Sequence, residues 1–186
     1  MAVVIVDNGS KYTPKLIEML ADRSPRVVAY TDIDNGTIQR KDTIILTGGH
    51  AEPILWHKKQ YARETRLVKR HKGTIVGICF GFEVIAHVYG SHLHLRHNRI
   101  KGDLSLKMTG RGRIAIPNSI TVYENHNWTL PKVRRPLIAT AYSEYGVEAF
   151  QHSRKPIYGM QFHPEMSGSE GRALLNDILD AAIDNK

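Results

Sequence analysis

The sequence predicts an α/β fold: an open, mostly parallel sheet with helices on both faces, plus an antiparallel strand section. Three observations lead there. Short, continuously apolar runs at residues 3–6, 43–46 and 74–78 have the texture of strands buried on both faces, not the alternation of a half-exposed sheet. Stretches with apolar residues at helical spacing fall between them, which is the β-α-β pattern. After Gly90 the texture changes to short alternating segments that suit antiparallel strands and hairpins.

Taken in order, residues 3–6 end in Asp7-Asn8-Gly9, a strand followed by a turn. Leu16, Ile17 and Leu20 recur at helical spacing, residues 26–30 form a second strand, and 43–46 a third, closed by Thr47-Gly48-Gly49-His50. Residues 58–72 read as an amphipathic helix with Tyr61, Thr65 and Val68 inward and Lys59, Arg63, Arg66 and Arg70 outward. Residues 74–78 are a fourth strand, and 82–89 a helix carrying Val84, Ile85 and Val88. The alternating segments are 104–108, 113–116, 120–123, 137–141, 147–150 and 157–162. A last helix over 167–183 opens on Ser167-Gly168-Ser169-Glu170, a capping-box pattern, and aligns Leu174, Leu175, Ile178, Leu179 and Ala182. With no repeat, low-complexity tract or linker, a single domain over residues 1–186 is expected.

Composition narrows the function classes. No apolar run reaches the roughly 18 residues of a membrane span, and the start lacks a secretion signal, so a soluble, cytoplasmic protein without membrane contact is expected. The 26 basic residues exceed the 18 acidic ones. They concentrate at 58–72 and 92–113, which reads either as a solvated face or as a dock for an acidic partner. No nucleic-acid-binding motif accompanies them, so nucleic acid is not expected as a partner. One cysteine, Cys79, excludes an internal disulfide and a thiolate-built zinc site. His92, His94 and His97 have a spacing that could suit a metal but read rather as exposed imidazoles on an alternating strand face, and no metal or cofactor is expected.

The chemistry centres on Gly77-Ile78-Cys79-Phe80-Gly81, between a predicted strand and a predicted helix. A nucleophile at the tip of so sharp a turn needs small residues two positions to each side. The following helix aims its free N–H groups at the sulfur, favouring thiolate, and the Phe80 amide faces any oxyanion formed there. A cysteine nucleophile needs a histidine to carry the proton and a third group to orient it. His163 ends the 157–162 strand and is followed by Pro164 and Glu165. In extended backbone positions 163 and 165 point the same way, so Glu165 can reach the imidazole. Gly48-Gly49 follows the third strand, where an unobstructed backbone N–H could complete an oxyanion hole. Parallel strands would bring all three loops to one edge of the sheet.

These segments, with Tyr158-Gly159-Met160-Gln161-Phe162-His163-Pro164-Glu165, resemble the signature regions of class I glutamine amidotransferases, in the same order and over nearly the whole chain. The opening Ile5-Val6-Asp7-Asn8-Gly9-Ser10 is also similar to the start of the amidotransferase subunits of GMP synthase and anthranilate synthase. The resemblance implies a flavodoxin-like or Rossmann-like fold and hydrolysis of glutamine through a γ-glutamyl thioester on Cys79. It makes His163 the general base and acid, Glu165 its orienting carboxylate, and the Gly49 and Phe80 amides the oxyanion donors, with Gly48 beside the substrate. It also implies a separate ATP-dependent synthetase that takes the ammonia, since this chain carries no ATP-binding signature.

Some positions depart from the family pattern. Glu83 stands where most members carry Gln, and Phe82 where many carry His. Gly81-Phe82-Glu83 is more similar to γ-glutamyl hydrolases. Glu83 therefore reads as a substrate contact, to an ammonium for instance, or as an exposed first-turn residue facing the helix dipole. Thr47 and His50 flank the glycine pair where Ser and Pro are more common, and Asn125-His126-Asn127-Trp128 falls where GMP synthase subunits show Ser-His-x-Asp. Asn125 and His126 are accordingly substrate-binding candidates, with a plain loop histidine as the alternative. Rival functions are a stand-alone γ-glutamyl hydrolase or peptidase and a catalytically silent regulatory homologue.

Overall fold

Nine strands form one sheet in the order β2-β1-β3-β4-β9-β8-β7-β5-β6. The computed structural model describes residues 2–33, 36–49, 54–55, 57, 59–111 and 118–184. Strands β1 (Val3–Asn8), β2 (Arg26–Ala29), β3 (Thr43–Gly49), β4 (Ile75–Ile78) and β9 (Ile157–Met160) are mutually parallel. Strands β8 (Gly146–His152), β7 (Leu137–Ser143), β5 (His94–Met108) and β6 (Ser119–Thr129) continue the same sheet antiparallel. The 157–162 segment, expected among the antiparallel strands, is the seam: it runs parallel to β4 and antiparallel to β8.

Continuous apolar runs become the strands buried on both faces, as expected of a covered sheet. Helices α1 (Thr13–Met19) and α4 (Gly168–Asp184) lie on one face, where Leu16, Leu20, Leu175 and Leu179 pack with Ile5, Ile45 and Val76. Helices α2 (Ala62–Arg70) and α3 (Phe80–Val88) cover the other, where Val68, Phe82 and Ile85 pack with Val6, Ile44, Leu46 and Ile75. Each such aliphatic or aromatic side chain contributes about 1.5–3 kcal/mol when fully buried. No helix among the described residues is long and apolar enough to cross a membrane.

Four local expectations change. Strand β3 runs on through Gly48 and Gly49, because Asn8 holds Thr47: its N–H donates to Thr47 Oγ1 at 2.9 Å and its Nδ2 to the Thr47 carbonyl at 3.1 Å. Strands β5 and β6 are much longer than the segments read from alternation, and Asn125, His126 and Trp128 lie in strand β6, not in a loop. The pattern at Ser167 and Glu170 does not close as a capping box. Ser167 Oγ donates to the His163 carbonyl and accepts from Tyr123 N–H, and Glu170 accepts from Thr121 N–H, so both side chains anchor β6. In α2 the inward face includes Glu64, fully buried beside Tyr61 and Val68. The strand expected at 113–116, with His50, Lys58 and Ala182, lies outside the described residues or side chains.

Candidate active site

The carboxyl ends of β1, β3, β4 and β9 meet at one edge of the sheet, and the turn after β4 sets the geometry there. Cys79 sits at φ 50°, ψ −104°, a positive-φ conformation that costs a non-glycine residue of order 1–3 kcal/mol. Its N–H donates to the Met160 carbonyl at 2.8 Å, and its own carbonyl accepts from Glu83 N–H at 3.1 Å, the first turn of α3. The flanking glycines are required by close approach. A Cβ on Gly77 would lie 2.5 Å from the Gly81 carbonyl oxygen, and one on Gly81 would lie 2.3 Å from the Leu46 carbonyl oxygen.

His163 is 2% exposed, and its N–H donates to the Tyr123 carbonyl at 2.9 Å. Its Nδ1 is 2.8 Å from Glu165 Oε1. The two meet by a different route from the one the sequence suggests: Pro164–Met166 form a 3-10 turn, and that turn, not extended backbone, carries the carboxylate back to the ring. Tyr12 packs edge-on against the imidazole, with ring centres 4.7 Å apart. Gly48 lies between the two side chains: a Cβ there would be 3.0 Å from His163 Cε1 and 3.5 Å from Cys79 Cβ. Its bare Cα keeps that space open. Gly49 adjoins Phe80, whose ring would meet a Cβ on Gly49 at 3.1 Å. Cys79, His163, Glu165, Gly48, Gly49 and Phe80 are thus brought together.

The remaining expected contacts separate. Asn125 and His126 are successive residues of β6 and point to opposite faces. Asn125 Nδ2 donates to Tyr12 Oη at 3.0 Å, on the His163 side. His126 is buried, with Nδ1 2.6 Å from the Trp128 carbonyl and Nε2 3.0 Å from Glu124 Oε2. Glu83 is 4% exposed and accepts from Gln161 Nε2 at 3.4 Å, so it is no exposed first-turn residue. Phe82 is fully buried and stacked on Phe150, a core role that accounts for its size without any substrate. His92, His94 and His97 are exposed along the chain into β5, as expected.

Electrostatics correct one expectation. Burial pushes the Cys79 thiol well above its ordinary value, and the charges of Glu83, Glu124 and Glu165 push it further; the Phe80 amide hydrogen bond opposes them without prevailing. These influences oppose the one expected of the helix start. Burial likewise raises Glu83 to about 7, Glu124 to about 8 and Glu148 to about 7. His126 is lowered, chiefly by burial and against the pull of Glu148. Sequence reasoning missed Glu124, Glu148 and Tyr12, because they sit on distant strands and turns with no motif spacing between them, and it included Gln161 within the 158–165 segment without assigning it a contact. Only alternation along β6, which puts Glu124 and His126 on one face, could have joined a pair of them.

Residues 4–181 match the family model for glutamine amidotransferase class-I. The chain is 29% identical over 185 residues to a glutamine-hydrolyzing GMP synthase subunit of Picrophilus torridus, covering 97% of this chain and 98% of that protein. It is 27% identical over 184 residues to the subunit of the same name from Thermoplasma volcanium, covering 96% and 91%. Its fold superposes, with a TM-score of 0.86 at 24% identity, on the crystal structure of a Thermoplasma acidophilum protein described as a GMP synthase subunit, covering 100% of this chain and 95% of that one.

Proposed function

Because the chain belongs to the class I glutamine amidotransferase family, we propose that it hydrolyses glutamine with Cys79, His163 and Glu165 and passes the ammonia to a separate, ATP-dependent synthetase chain in the cytoplasm. GMP synthase is the assembly this reading favours, on the names of the two relatives above. The observation that carries it is the arrangement around Gly48, whose bare Cα faces both the Cys79 side chain and an imidazole already bonded to Glu165.

Burial raises the thiol and so bears on how the first step runs. Cys79 Sγ attacks the side-chain amide carbon of glutamine while His163 takes the thiol proton. The amides of Gly49 and Phe80 receive the developing oxyanion. His163 returns the proton to the amide nitrogen, the C–N bond breaks, and ammonia leaves a γ-glutamyl thioester. His163 then deprotonates a water that attacks the thioester; the C–S bond breaks, the thiol is restored and glutamate departs. Glu165 holds the ring so that Nδ1 keeps its proton and Nε2 works, and stabilises the imidazolium that forms transiently.

The synthetase needs a dock. The exposed side of α2 and the neighbouring turn line a cavity of about 420 Å³ bordered by Arg40, Arg63, Arg66, Arg70 and Lys72, over a floor of Ile33, Ile38 and Leu67. Such a basic rim suits an acidic surface on the partner. The test is a glutaminase assay of the purified chain with glutamine or a γ-glutamyl peptide, with and without the synthetase chain of a GMP synthase. Slow glutamine hydrolysis that the partner accelerates is the expected result. Full turnover alone, or preference for the peptide, contradicts this reading.

A further inference from the structure

We propose that Glu124, His126 and Glu148 form a binding site for one divalent cation of the first transition row. The site is built from β6 and β8, and each residue offers a donor atom within 4.8 Å of the others. All three are nearly inaccessible, at 0%, 4% and 2% exposure.

The imidazole supplies the argument that a cluster of acids could not. His126 Nδ1 lies 2.6 Å from the Trp128 carbonyl, and a carbonyl can only accept, so Nδ1 carries the hydrogen. In the neutral ring Nε2 is then a bare lone pair, and it faces Glu124 Oε2 at 3.0 Å in an orientation that makes no hydrogen bond. Both Glu124 oxygens and Glu148 Oε2 also lack a hydrogen-bond partner among the described residues. Buried acceptors turned on one another without a donor are costly, and a shared cation relieves them together. The supports resemble those of metal ligands: Trp128 fixes the imidazole tautomer, and Ser143 Oγ donates to Glu148 Oε1 at 2.5 Å, leaving Oε2 free.

The donor types select the class of ion, and the one short donor–donor spacing fits it. Adjacent vertices of an octahedron with bonds of about 2.1 Å lie about 3.0 Å apart, which is the distance between Nε2 and Oε2. Two carboxylates balance a 2+ charge, and an imidazole among the donors favours a transition metal over Mg²⁺ or Ca²⁺, which prefer oxygen alone.

Mn²⁺ is the probe. Titration of the full chain, followed by the loss of the free-ion EPR signal, is expected to show one saturable equivalent, and the pulsed EPR spectrum of the bound ion is expected to show ¹⁴N coupling from one imidazole. Glu124→Gln, which keeps the side-chain shape, should weaken binding by at least about tenfold, whereas Cys79→Ser should leave it unchanged. The nitrogen coupling is read on the unaltered protein, so the test survives a variant that fails to fold. Absence of saturable binding between pH 6 and 9 would mean that a proton alone bridges the cluster and overturns the proposal. So would a bound ion without nitrogen coupling, or binding lost in Cys79→Ser and kept in Glu124→Gln.

Discussion

Cys79 is asked to react in surroundings that hold its proton in place. Burial and three neighbouring carboxylates raise the thiol, against a single amide hydrogen bond, so in the free protein alkylation by iodoacetamide should rise only at pH values above the ordinary thiol range. A rate profile that levels off near neutral pH would mean a preformed thiolate and a different first step. Gly48 gives a second test at the same scale. Gly48→Ala puts a methyl group 3.0 Å from His163 Cε1 and 3.5 Å from Cys79 Cβ, so it should cut kcat/KM for glutamine at least about a hundredfold while melting within a few degrees of the parent chain. Retained activity would remove Gly48 from the space between the two groups. The pairing of His163 with Glu165 was legible from two residues and a proline. The cluster of Glu124, His126 and Glu148 was not, since Glu148 lies far from the other two in sequence and a glutamate reads as surface until a fold buries it.

The elements place these side chains through close backbone contacts and one buried polar tie. Gly81→Ala forces a methyl group to within 2.3 Å of the Leu46 carbonyl oxygen, so chemical denaturation should register a loss upward of about 3 kcal/mol; a change under 1 kcal/mol, by the same scale of roughly 1–3 kcal/mol for overpacking, would mean that β3 and α3 can move apart. The polar tie is Asn8 Nδ2, which donates to Glu64 Oε1 at 3.1 Å and so joins β1 to α2. Burial raises Glu64 from 4.5 to about 7, with the Asn8 hydrogen bond opposing it. The folded state thus holds this proton more tightly than the unfolded chain. The stability linked to Glu64 is complete below about pH 4.5 and is lost as pH rises towards 7. Glu64→Gln keeps an acceptor for Asn8 and removes the titration, so its Tm should fall less than that of the parent chain between those values. Parallel slopes for the two proteins would place the titration elsewhere. The amphipathic pattern identified α2 and its basic side, yet the one acid in that pattern is the residue the helix buries, because only Asn8 across the sheet gives it a partner.

At the scale of the whole molecule, the sheet order explains why so much of the site could be read from sequence. Strands β1, β3, β4 and β9 are consecutive parallel neighbours, so any motif at the end of an apolar run arrives at the same edge. The antiparallel half was less legible. Short alternating segments do not reveal that β5 and β6 make a long hairpin whose second strand reaches back to His163 through Tyr123. The net charge of +8 belongs to this scale too. If the rim of Arg63, Arg66 and Arg70 receives the synthetase, reversing all three to Glu should abolish acceleration by the partner and leave basal glutaminase intact, and added salt should mimic the change. Unaltered acceleration would move the interface elsewhere. The proposed activity rests on the sulfur forming a bond to the γ-carbonyl carbon. The most direct measurement is intact-protein and peptide mass spectrometry after rapid acid quench of the chain turning over glutamine. A γ-glutamyl adduct on the peptide containing Cys79, absent in Cys79→Ser, is the predicted result; ammonia release with no adduct there, or at an unchanged rate in Cys79→Ser, would contradict it.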